Sequence, residues 1–84
     1  MRPNSTPTIF PSKQLSVANI FDFPPLMQKI ILVLLTIERV TIQEIEKELE
    51  VSSKEILISA MKLVEMGYIG KQEIHGEIVL FYSN

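Results

Sequence analysis

The sequence of 84 residues predicts an α+β fold: three helices followed by a C-terminal two-stranded β-hairpin, with a short N-terminal extension. Three observations predict it. Thr41-Ile42-Gln43-Glu44 and Ser52-Ser53-Lys54-Glu55 are both S/T-x-x-E capping boxes, in which a hydroxyl accepts from an orphan helix N–H and the glutamate reaches back. Their first residues lie eleven positions apart, so only one short helix and a tight turn fit between two helix starts. Further on, two β-prone runs flank His75-Gly76, where glycine supplies the positive φ of a tight turn.

Taken in order, residues 1–13 form a tail. Pro3, Pro7 and Pro11 stand there among Asn, Ser and Thr, a composition expected to be extended or mobile. The domain is expected over residues 14–84. Leu15, Val17, Ile20 and Phe21 give Gln14 to Phe21 the apolar character of a short helix or strand docked on it. Pro24-Pro25 suits a first helical turn, where a missing N–H costs nothing, and the first helix continues to Ile37. That helix is apolar almost all round. With Leu26, Ile30, Val33 and Ile37 taken as its core face, Ile31, Leu32 and Leu35 project elsewhere and need cover, either from the Gln14 to Phe21 segment or from a second subunit.

Arg39-Val40-Thr41 fits a short strand ahead of the second helix, which runs from about Ile42 to Glu50, burying Ile42, Ile45 and Leu49 at helical spacing and showing Glu44, Lys47 and Glu48 to solvent. Glu50-Val51-Ser52 makes the turn. The third helix spans about Ser53 to Met66, and Gly67 ends it in the left-handed cap position. Tyr68 to Ile74 and Glu77 to Tyr82 are the two hairpin strands.

Composition narrows the function classes. Eight Lys plus Arg against ten Asp plus Glu leave a net charge of −2, so the global field does not favour nucleic acid and any such contact is local. A chain this short buries only about 60% of its unfolded surface, a shortfall that a partner subunit would offset. No cysteine means no disulfide, no thiol nucleophile and no Cys-based zinc site, which fits a cytoplasmic protein. The longest apolar run, Ile30 to Leu35, is far short of the roughly 20 residues that cross a bilayer, and no charged-then-apolar leader opens the chain. Glu44, Glu46, Glu48 and Glu50 alternate along a helix rather than converge, so no metal site is expected. With one histidine and no cysteine there is no converging nucleophile, base and oxyanion partner; no enzymatic activity and no cofactor are expected.

The run Ile42-Gln43-Glu44-Ile45-Glu46-Lys47-Glu48-Leu49-Glu50-Val51-Ser52-Ser53, followed by Leu63-Val64-Glu65-Met66-Gly67-Tyr68-Ile69, resembles bacterial and archaeal winged helix-turn-helix transcriptional regulators over roughly two-thirds of the chain. In such proteins a short strand commonly precedes the second helix. The resemblance implies a third helix that enters the major groove of double-stranded DNA, a hairpin wing that touches phosphates or the minor groove, and base-reading positions at Ser53, Lys54, Leu57, Ile58 and Met61. Two protein-binding winged helices are locally similar as well. Ser53-Lys54-Glu55-Ile56, Ala60-Met61-Lys62-Leu63, Gln72-Glu73 and Gly76-Glu77-Ile78-Val79-Leu80 resemble the kleisin C-terminal domain, and Gly67-Tyr68-Ile69-Gly70-Lys71 resembles the winged end of PCI-type scaffolds.

The residues themselves leave two readings open. In the first, DNA is bound by Ser53, Lys54, Lys62, Lys71 and His75, with Arg2 and Lys13 on the tail, each neutralised phosphate adding a salt-dependent increment. The plainer account makes these solvated surface lysines and an exposed turn histidine. In the second, the third helix docks a protein. With Ile56, Ala60 and Leu63 facing the core, 100° per residue turns Lys54, Ile58, Met61 and Glu65 outward with Leu57 and Lys62 flanking, a face poorer in base-reading groups than in grease. An interface through Leu57, Ile58 and Met61 on that helix, and through Ile31 and Leu35 on the first, follows from this pattern. A homodimer is the expected state, and DNA binding the leading expectation.

Overall fold

The computed structural model describes residues 8–13 and 20–82. It is an α+β structure of helix α1 (Pro25–Thr36), strand β1 (Arg39–Thr41), helix α2 (Ile42–Leu49), helix α3 (Ser53–Glu65) and strands β2 (Gly70–Ile74) and β3 (Glu77–Phe81). The sheet is antiparallel in the order β1-β3-β2, so the C-terminal hairpin gains a third strand from ahead of α2. The two-stranded hairpin expected as the β element is therefore part of a three-stranded sheet.

Helix α1 enters through Pro24 and Pro25. Pro24 offers no side-chain cap; its carbonyl accepts from the Gln28 N–H at 3.0 Å, and the Gln28 amide donates to the Phe23 carbonyl at 2.7 Å. Met27, Ile30, Ile31 and Leu34 are buried, the i, i+3, i+4, i+7 stripe of an amphipathic helix. This corrects the face read from sequence. Ile31 is fully buried rather than turned outward, whereas Ile37 is 52% exposed because it lies past the helix in extended conformation, φ −121°. In a helix apolar almost all round, the pattern leaves the phase ambiguous, and packing against α2 and α3 settles it.

Thr41 is where sheet and helix join. Its backbone pairs with Val79, and its side chain begins α2 with a complete capping box. The Glu44 N–H donates to Thr41 Oγ1 at 3.1 Å, and the Thr41 N–H donates to Glu44 Oε1 at 2.9 Å. The second box is half formed. The Glu55 N–H reaches Ser52 Oγ at 3.4 Å, but the Glu55 carboxylate accepts from the Ser52 hydroxyl at 3.5 Å instead of from the backbone. Between α2 and α3, Glu50 adopts the left-handed conformation, φ 56° and ψ 42°, so that three residues can reverse the chain. A glycine does the same work after α3. Gly67, φ 87°, lets its own N–H donate to the Val64 carbonyl and the Tyr68 N–H donate to the Leu63 carbonyl, at 3.0 and 3.1 Å, a Schellman closure.

Ile30, Ile31, Leu34, Ile45, Ile56, Leu63, Ile69 and Leu80 form the fully buried heart of the core, drawn from all three helices and the sheet. Strand β3 is central, and its Val79, Leu80 and Phe81 are all buried. The Phe81 and Phe10 rings meet in a T-shaped pair with centroids 5.7 Å apart, and the Arg39 guanidinium lies 5.7 Å from the Phe81 ring centroid. Phe10 belongs to residues 8–13, which run along the β2 edge. Ile9 exchanges two backbone hydrogen bonds with Lys71, and the Ser12 and Lys13 N–H groups both donate to the Gly67 carbonyl. This stretch of the expected tail thus covers the open edge of the sheet; residues 1–7, Arg2 among them, lie outside the described residues. So does most of the Gln14 to Phe21 segment, of which Ile20 is buried in the core and Phe21 is exposed.

Glu50 is the residue whose replacement reports most directly on this backbone. A non-glycine left-handed residue is disfavoured by roughly 1 kcal/mol. Glu50→Gly is expected to raise the unfolding free energy by about that amount in urea denaturation, with an unchanged slope.

Candidate nucleic-acid interface

The N-terminal half of α3 and the hairpin tip meet across a shallow cleft lined by Gln43, Ser53, Leu57, Gly76, Glu77 and Ile78, with Ile42 at its base. Ile42 and Gln43 open α2 directly after the Thr41 cap, so the β1 pairing that fixes Thr41 also fixes this cleft. The tip is a two-residue turn between Ile74 and Glu77, with positive φ at both His75 (50°) and Gly76 (81°). That is the handedness a two-residue hairpin requires. His75 is exposed there.

Along α3, burial of Ile56, Ala60, Leu63 and Val64 sets the phase. Ser53, Lys54, Glu55, Ile58, Lys62 and Glu65 are exposed. Leu57 and Met61, expected on an apolar docking strip, are instead half-buried and pack against the core. The strip contracts to Ile58, which is 53% exposed. The α3 face is therefore polar with one apolar residue at its centre. Its charge is mixed: Lys54 and Lys62 share it with Glu55 and Glu65.

The structure brings Ser53 to one cleft with Gly76 and Glu77 of the hairpin tip; Lys54 is the next residue on α3, and Lys62 follows two turns further along the same helix. It does not bring Lys71 to this place. Lys71 is half-buried on β2 beside Ile9, four residues before the turn and so about 13 Å from it along the strand. Lys13 is held over the Tyr68 ring at 5.5 Å. Ile31 and Leu35 separate in the same way, Ile31 within the core and Leu35 44% exposed.

Sequence reasoning missed Gln43, which Thr41 capping brings to the edge of the cleft, and a groove between α1 and α2 lined by Lys29, Leu32, Val33, Ile37, Glu48 and Leu49. The correct phase of α1 would have found the groove. Among the described residues no three His, Asp or Glu side chains converge as a metal cluster, and no helix is long and apolar enough to cross a membrane.

No protein-family model matches the chain, and comparison with curated proteins and with solved structures gave no match.

The burial pattern on α3 makes a stability prediction. Leu57→Ala and Met61→Ala are each expected to lower stability by about 1–3 kcal/mol, because both support the core. Ile58→Ala is expected to stay within about 0.5 kcal/mol of the parent in the same denaturation experiment.

Proposed function

We propose that the chain is a winged-helix protein that binds double-stranded DNA in the manner of a transcriptional regulator, with α3 in the major groove and the β2–β3 hairpin as the wing. The observation that carries the reading is the juxtaposition of Ser53, at the exposed start of α3, with Gly76 of the hairpin tip across one cleft. A helix N-terminus presents unpaired N–H groups to a phosphate. The Ser53 hydroxyl can donate to a base edge or to the backbone, Lys54 and Lys62 meet phosphates, and Ile58 packs on thymine methyls. His75, at the end of a stiff two-residue turn, reaches the flanking backbone. Helix, turn and helix precede the hairpin in the order of a winged helix, and the strand Arg39–Thr41 stands where that architecture commonly places one.

With a net charge of −2 and glutamates beside both lysines, the electrostatic share of this binding is small and confined to a few phosphates. Retreat of Leu57 and Met61 into the core weakens the competing reading, in which α3 docks a protein. That second reading keeps one supporting observation, the exposure of Ile58 in the middle of the face.

Fluorescence anisotropy with duplex DNA across a salt series separates the two. Lys54→Ala and Lys62→Ala are each expected to weaken binding uniformly across sequences and to lower the salt slope by about one. Lys71→Ala, about 13 Å from the tip along β2, is expected to change neither by more than a small fraction of that. No binding by the parent protein at low salt would retire the DNA reading. A protein complex abolished by Ile58→Glu, with the fold intact, would put the docking reading in its place.

A further inference from the structure

Leu32, Leu35 and Ile37 are 54%, 44% and 52% exposed, and they crowd the C-terminal half of α1 and the residue that ends it. Beside them runs the groove between α1 and α2, floored by the half-buried Val33 and Leu49 and flanked by exposed Lys29 and Glu48. We propose that this face binds a second copy of the same chain about a two-fold axis, with Leu32 and Leu35 of each copy seated in the other's groove and Lys29 of each paired with Glu48 of the other.

Two features of the face select that occupant. The first is self-complementarity of shape. In a two-fold interface the same patch serves both sides, residue i meeting j and j meeting i. A patch that offers both projecting leucines and an apolar groove can satisfy itself in this way. The second is charge. Lys29 and Glu48 carry opposite signs at the groove, and among the described residues neither side chain takes part in a hydrogen bond or ion pair. A two-fold axis through the leucines makes two Lys–Glu links from them.

The inference does not rest on DNA binding and is tested without it. Sedimentation velocity on the full chain across the micromolar range is expected to give a reversible dimer of twice the 9.6 kDa chain mass. Leu32→Glu, at an exposed position that leaves the core intact, is expected to raise the dimer dissociation constant by roughly 30-fold or more while the helical circular dichroism persists. Lys29→Glu and Glu48→Lys are each expected to weaken the dimer, and the double reversal to restore it, because only reciprocal pairing recovers the opposite signs. A monomer throughout the range, or a dimer indifferent to Leu32→Glu, would overturn the proposal. A double variant no tighter than its singles would overturn the pairing. A monomer that dimerises only when residues 1–7 are removed would show that the chain's own start occupies the face, which also overturns it.

Discussion

The three-residue ladder between β1 and β3 is the constraint on which the rest of this structure depends. Arg39, Val40 and Thr41 pair with Phe81, Leu80 and Val79, and the last of them is also the residue that caps α2. Backbone hydrogen bonds thereby position the start of α2 against the sheet with no intervening loop. Because only Glu50, Val51 and Ser52 separate α2 from α3, the direction of α3 follows from that of α2. The hairpin, through β3, and the two helices are thus tied to one strand, and the cleft at Ser53 and Gly76 is a consequence. The Tyr82 N–H donating to the Glu38 carbonyl at 3.2 Å lengthens the same ladder by one bond.

Much of this was legible because local chemistry and global fold agree. Thr41 with Glu44, Ser52 with Glu55, Gly67 after α3 and His75-Gly76 between two β-prone runs each mark a boundary through their own hydrogen-bonding or φ requirement, and the observed ends fall within a residue or two of those marks. Where such marks were missing, the reading failed. Nothing in α1 distinguishes Ile31 from Val33 by type, and the stripe Met27, Ile30, Ile31 and Leu34 emerges only once α2 and α3 pack on it. Residues 8–13 were opaque for a different reason. A Pro-rich stretch has no periodicity to read, and its order comes from the unpaired edge of β2 and the ring of Phe81, neither of which is local in sequence.

The candidate site was legible as a position and not as a surface. Ser53, Lys54 and His75 could be placed because caps and turns place them, but the exposure of α3 depended on a phase that shifts when two half-buried residues are counted inward. Leu57 and Met61 are close enough to the boundary that 100° spacing alone leaves them outside. Their inward packing changes the balance of the surface. The apolar part of the α3 face contracts to Ile58, while Leu32 and Leu35 on α1 and Ile37 just past it stand exposed together, so that a largely polar face beside the hairpin and an apolar face at another helix become separate regions. The proposed division of labour, nucleic acid at one and a second copy at the other, follows that separation.

The most direct test of this account is a residue-resolved amide NMR titration of the full chain with a DNA duplex at low salt. The account predicts shift changes centred on Ser53, Lys54, Ile58, Lys62 and the His75-Gly76 tip, with Leu32, Leu35 and Ile37 undisturbed. Changes confined to the α1–α2 groove, or none at all, would contradict it.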